Sequence, residues 1–203
     1  MAATVLFSTD AFWDEHGEQI VAIDPTVEVV RLVGDDQLTG GDIDRINIAF
    51  FSPDLFTGRA KAFFGVCLRA PNLHWFQSAF AGTDDKVFDR LRANGVTVTS
   101  AAGAAAPSIA QTVLLYLLAL SRQLPRLTRS QAQRKWDPVT STDLDGLRVG
   151  IVGMGAIGGE VARLSAPFGV ACIGMRRTVR GDEPCETWAN DRFHELLEWS
   201  DAV

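Results

Sequence analysis

Residues Leu147–Arg177 read LRVGIVGMGAIGGEVARLSAPFGVACIGMRR. The apolar run Leu147–Val152 predicts a strand, and Gly153, Gly155 and Gly158 follow it at once in a G-x-G-x-x-G spacing. The segment EVARLSAPF then continues as a helix, and Val170–Met175 predicts a second strand. The three glycines have separable physical duties. Gly153 allows a tight turn, and Gly155 withholds a side chain so that a pyrophosphate can approach the backbone. Gly158 lets the helix pack close to the strand. Amide groups near Ala156 and Ile157 then face the anion at the positive end of the helix dipole. Strand, turn, helix and second strand together predict a dinucleotide-binding unit.

The end of that unit carries a second message. A dinucleotide fold that prefers NAD usually closes its second strand with Asp or Glu, which accepts from the ribose 2′-hydroxyl. Here Arg176, Arg177 and Thr178 stand in that place. A guanidinium accepts nothing from a hydroxyl but offers paired donors and charge to a 2′-phosphate. The expected cofactor is NADP(H) in preference to NAD(H).

Working outward, the first hundred residues alternate between two textures. Thr4–Ser8, Val27–Val33, Ile46–Ser52, Leu73–Ser78 and Val96–Ser100 are short and rich in β-branched or aromatic residues. Mixed segments separate them, and DDKVFDRLRANG has the pattern of an amphipathic helix stopped by Gly95. Such alternation predicts an α/β layer of about five parallel strands. Ala101–Pro125 then starts with small residues, places Pro107 near a helix start and runs apolar almost all the way round. That predicts a helix buried in a core or in a subunit interface. The following stretch, RLTRSQAQRKWDPVTSTDLDG, reads as polar and turn-rich, and the residues after Arg177 as a polar loop. A last short helix, DRFHELLEW, takes Asp191 as its N-cap and puts Phe193, Leu196 and Leu197 on one face. The terminal SDAV reads as the start of a further strand. The expected division is a first domain at 1–100 and a second, dinucleotide-binding one at 101–203.

Composition narrows the partners. The chain has 203 residues, 47% of them apolar, and a formal net charge of -6. With no basic surplus to neutralise phosphates, a general nucleic-acid binder is excluded. Cys67, Cys172 and Cys185 are widely spaced, odd in number and lack a CxxC pair, so neither a disulfide framework nor a metal site is expected. The longest apolar segment, Thr112–Leu120, falls far short of the roughly 20 residues that span a bilayer. The N-terminus shows no basic region ahead of its apolar run, so a cytoplasmic location is expected.

With these residues in view, LDGLRVGIVGMGAIGGEVARLSAPFGVACIGMRR resembles the dinucleotide-binding segment of the D-isomer-specific 2-hydroxyacid dehydrogenases, in the glyoxylate/hydroxypyruvate reductase and phosphoglycerate dehydrogenase style. LHWFQSAFAGTDD is similar to the family's strand and turn that present amides to a substrate carboxylate, and GVTVTSAAGAAAPSIAQTVLLYLLALSRQLP to its crossover helix. The resemblance covers nearly all of residues 1–203 and is most specific over 144–177. It implies a flavodoxin-like N-terminal substrate domain followed by a Rossmann domain, and hydride transfer between a nicotinamide and C2 of a 2-keto or 2-hydroxy acid. Ala81 and Gly82 match the turn whose amides hold the carboxylate, while Gly153, Gly155, Ala156, Ile157 and Gly158 match the phosphate loop. Gln111 stands where the family usually has Glu, which implies an altered structural hydrogen bond. A homodimer through the dinucleotide domain is also implied.

The family's catalytic arginine, histidine and carboxylate match no residue here and are expected beyond Val203. His16, His74 and His194 do not fall at matching positions. The expectation is therefore a chain cut after about two-thirds of the family's length, with an incomplete Rossmann domain and without the helix that returns to the first domain. The alternative is a catalytically dead dinucleotide-binding module.

Overall fold

The computed structural model describes residues 3–34 and 38–203. The chain divides into two compact units, Met1–Ala102 and Gly103–Val203.

In the first unit, strands β1 (Val5–Thr9), β2 (Glu28–Leu32), β3 (Ile48–Phe51), β4 (Trp75–Ser78) and β5 (Thr97–Ser100) form one parallel sheet in the order β2-β1-β3-β4-β5. Parallel neighbours need crossovers, supplied by α1 (Asp10–Ile23), α2 (Gly40–Arg45), α3 (Ala60–Cys67) and α4 (Lys86–Ala93). Every residue of β1 is buried, as expected of a strand covered on both faces. Aromatic side chains fill the layer between sheet and helices: Phe7 stacks on Phe63 at 4.3 Å, and Phe51 and Phe76 close around them.

Polar caps set the helix starts. The Thr9 hydroxyl accepts from the Phe12 amide to open α1, and Thr39 and Asp42 form a reciprocal capping box on α2. Asp85 accepts from the Val87 amide at 2.9 Å and opens α4. Replacing Asp85 by Ala is expected to lower stability by about 1 kcal/mol, read from the urea unfolding midpoint.

The second unit starts with α5 (Ala106–Ser121) and α6 (Leu124–Ala132). Strands β6 (Arg148–Val152), β7 (Ala171–Met175) and β8 (Glu186–Trp188) form a parallel sheet, with α7 (Ala156–Ser165) crossing from β6 to β7. After α8 (Phe193–Trp199), Ala202 bridges Val149 in parallel, and its carbonyl accepts from the Gly150 amide at 2.9 Å. Ala110 of α5 is buried with Val149, Ile151, Val161 and Ala162 in one core.

Four expectations are corrected. The stretch after Pro125 contains α6, a polar helix with none of its residues buried, pinned from outside by the Arg126 fork on Asp137 at 2.7 and 2.8 Å. The polar loop after Arg177 contains β8. Asp191 lies in a short 3-10 turn, Asn190–Arg192, and its side chain caps nothing; Arg192 is the residue ahead of α8. Of the apolar face expected there, only Leu196 is buried, while Phe193 and Leu197 are exposed. Helix α5, expected in a core or in a subunit interface, is covered only in part within this chain: Leu115, Tyr116 and Leu120 are 57%, 63% and 69% exposed.

Candidate functional site

At the carboxyl end of β6 the chain turns through Gly153 with φ +109°, a conformation costly for any residue with a side chain. The amides of Gly153 and Met154 both donate to the Met175 carbonyl, at 2.9 and 3.0 Å, which lashes the turn to the end of β7. Met154 is buried and tucks against Gly174, where a Cβ would collide with its Cγ. Gly155 then serves as N-cap of α7 and its carbonyl receives the Gly159 amide at 2.9 Å.

Gly158 meets the turn from the other side. A Cβ there would overlap the Gly153 carbonyl oxygen and stand 3.0 Å from Ile151 Cγ2. Close approach of helix to strand therefore depends on that glycine. Around Gly155, by contrast, no atom lies within 4 Å of a notional Cβ. The amides of Ala156, Ile157 and Gly158 head the helix, and among the described residues they have no acceptor. Open space above Gly155 and unpaired donors beside it fit a diphosphate.

Gly153 and Gly155 form one side of an open cavity of about 710 Å3, and Arg176, Arg177, Thr178 and Arg180 line the same cavity. The glycine turn and the arginines are thus brought together. Ala156, Ile157 and Gly158 are not among the residues that line the cavity; Ala156 and Ile157 are exposed and Gly158 is buried. Arg177, Thr178 and Arg180 are exposed, whereas the Arg176 side chain is 20% exposed and its Nη1 donates to Glu183 Oε1 at 3.1 Å.

Sequence reasoning missed Glu183. Its side chain is only 5% exposed and also accepts from the Arg180 and Gly181 amides, each at 2.8 Å. Those donors, the Arg180 amide first, then the Gly181 amide and the Arg176 guanidinium, hold its carboxyl down at about 2. A signal was present: Gly181, at φ +88°, two residues before a carboxylate in RGDE marks a tight turn that a side chain can cap. Because the folded value lies below the ordinary one of about 4.3, this contribution to stability is complete above the ordinary value. It is lost as pH falls towards 2. Unfolding midpoints of the protein and of Glu183→Gln should therefore differ at neutral pH and converge as the pH approaches 2.

In the first unit, Ala81 and Gly82 occupy an exposed bend after β4, and no described acceptor receives their amides. Ser78 holds the bend, accepting from the Phe80 amide at 3.1 Å, and the Phe80 carbonyl receives the Ala101 amide. Gly82 borders a groove of about 1320 Å3 that Phe51, Phe56 and Phe80 also line. The carboxyl ends of β1 and β3 flank the point where strand order reverses, and a polar cluster missed by sequence reasoning sits there. Thr9 and Ser52 hydroxyls bond each other and Asp54, and Arg59 bridges Asp54 and Asp10 at 2.7 Å each. The Arg59 fork lowers the Asp10 carboxyl below its usual range. All its charges are paired, so the cluster stiffens the loop edge on which the bend rests.

The remaining candidates carry no chemistry here. His74 is exposed just ahead of β4, His194 is exposed on α8, and His16 lies on α1 beside Glu15 at 3.8 Å. Cys67 is buried, and burial pushes the Cys172 thiol up to about 11. Among the described residues no group of three or more His, Cys, Asp or Glu could hold a metal ion, and no helix is long and apolar enough to cross a membrane.

Known proteins resemble this chain. Residues 114–203 match the family model described as D-isomer specific 2-hydroxyacid dehydrogenase, NAD binding domain. A hydroxypyruvate reductase of Thermotoga maritima is 33% identical over 104 residues, which cover 50% of this chain and 34% of that protein. A D-isomer specific 2-hydroxyacid dehydrogenase family protein from Aeromonas salmonicida subsp. salmonicida superposes with a TM-score of 0.75 at 26% identity. That likeness covers 100% of this chain and 64% of the other. The fold is also that of a D-isomer specific 2-hydroxyacid dehydrogenase from Xanthobacter autotrophicus solved with NADPH and MES, with a TM-score of 0.74, 23% identity, and coverage of 98% and 62%. The chain thus spans less than two thirds of the length of these solved relatives, and its match covers about a third of the curated one. Residues 114–203 are thus similar to the NAD binding domain of the D-isomer specific 2-hydroxyacid dehydrogenases, and the chain as a whole resembles a solved protein of that family.

Proposed function

We propose that this chain binds NADP(H) at the turn Gly153–Gly158 and serves an oxidoreductase that moves hydride between the nicotinamide and C2 of a 2-keto or 2-hydroxy acid. One observation supports the cofactor choice above others: Arg176, Arg177, Thr178 and Arg180 line the cavity that Gly153 and Gly155 open onto. Bound there, the nicotinamide supplies or accepts the hydride. The chain's own residues do the holding. Amides of Ala156, Ile157 and Gly158 take the diphosphate, and the arginine side takes the 2′-phosphate. Amides of Ala81 and Gly82 hold the carboxylate of the acid. No proton donor is assigned within residues 1–203.

The exposed Leu115, Tyr116 and Leu120 of α5 support a second copy of the chain as their cover. The site of action is the cytoplasm.

Fluorescence titration with NADPH and NADH tests the core of the proposal. NADPH is expected to bind at least about tenfold more tightly, the worth of one charge-assisted hydrogen bond or more. Equal affinities would sink the 2′-phosphate assignment. Oxidation of NADPH with glyoxylate or hydroxypyruvate, followed in parallel, separates binding from turnover.

A further inference from the structure

The strand-end arginine that sequence reasoning chose as the 2′-phosphate ligand is already engaged. Arg176 Nη1 donates to Glu183, and the same carboxylate collects the Arg180 and Gly181 amides. Three donors converge on one side chain, so Glu183 ties the end of β7 to the turn at Arg180–Gly181 and closes the segment between them into a loop. Arg176 is also fixed through its backbone, its amide donating to the Trp188 carbonyl at 3.1 Å. The guanidinium groups of Arg177 and Arg180 are different. Both are exposed, both line the cavity, and among the described residues neither pairs with a carboxylate.

From this we infer that Glu183 is a positioning residue for cofactor selection: it uses Arg176 as a strut and thereby stands Arg177 and Arg180 over the cavity as the groups that receive the phosphorylated ribose. The inference rests on the dinucleotide reading of the site. Its physical basis is preorganisation. A loop held by a nearly buried carboxylate presents its cations without having to order them on binding. The negative charge of Glu183 costs the incoming phosphate little, since one guanidinium and two amides already surround it.

Two fragments of the cofactor separate this role from a merely structural one: 2′,5′-ADP, which carries the 2′-phosphate, and 5′-ADP, which lacks it. Calorimetric titration of the protein, Glu183→Gln and Glu183→Ala should show 5′-ADP affinity within about twofold throughout, while 2′,5′-ADP affinity falls about tenfold in both variants. The Arg177→Ala/Arg180→Ala double variant, which leaves every bond to Glu183 in place, should lose the same discrimination. Arg176→Lys, which keeps one donor for the carboxylate, should retain most of it. An unchanged affinity ratio in both Glu183 variants overturns the inference, as does a larger loss in Arg176→Lys than in the double variant. Failure of the unaltered protein to bind either fragment overturns the dinucleotide reading itself, and the inference with it.

Discussion

Gly158→Val is expected to unseat α7 from the turn that precedes it and to remove nucleotide binding with it. The obstacle is backbone, not a side chain that could swing aside: the first added carbon overlaps the Gly153 carbonyl oxygen and presses Ile151 Cγ2 at 3.0 Å. Gly153 cannot retreat easily. Its amide is spent on the Met175 carbonyl, its neighbour Met154 is buried, and its φ of +109° leaves few alternatives. Relief must come from moving the helix, whose Val161 and Ala162 are packed in the core with Ala110 of α5. Overpacking of this kind costs about 1–3 kcal/mol, and the two extra methyls of valine put this site at the upper end. Urea unfolding and amide exchange along α7 would measure it. A midpoint equal to that of the unaltered protein would show that the close contact is not needed.

The same glycines explain why this part of the fold was legible. A strand, a fixed glycine spacing and a helix form a local pattern, and the atoms that demand each glycine lie within a few residues of it. The five strands of the first unit were legible for a similar reason, being apolar runs cut by polar segments, although every start lies a residue or two later than expected and β1 runs on to Thr9. What failed was non-local. Helix α6 buries none of its residues, and it is stabilised by Asp137, outside the helix. Strand β8 is three residues long and exists because Ile173, Gly174 and Met175 offer it a partner. Glu183 was read as part of a charged loop, since its burial depends on the turn closing over it. For α5, an apolar surface all round states only that water should be kept away. It does not say whether this chain or another one does so.

Gly155→Val is the counterpart that separates folding from binding. Gly155 has φ −92° and ψ −159°, at the edge of the extended region and outside the left-handed one that favours glycine, and a Cβ there meets no atom within 4 Å beyond its chain neighbours. Losing glycine as N-cap costs about 1 kcal/mol at most, and the stiffer unfolded chain offsets part of that, about 0.4–1 kcal/mol. Stability should therefore hardly change. Binding should change greatly, because in the proposed site the valine methyls would stand in the open space through which a diphosphate reaches the amides of Ala156, Ile157 and Gly158. Loss of two charge-assisted contacts corresponds to about 3 kcal/mol or more, on the order of 100-fold in affinity. The measurement is NADPH titration beside a urea melt of the same sample. Wild-type affinity in Gly155→Val would place the diphosphate elsewhere, whereas a weakened variant with an unmoved midpoint assigns the loss to the cradle and not to the fold.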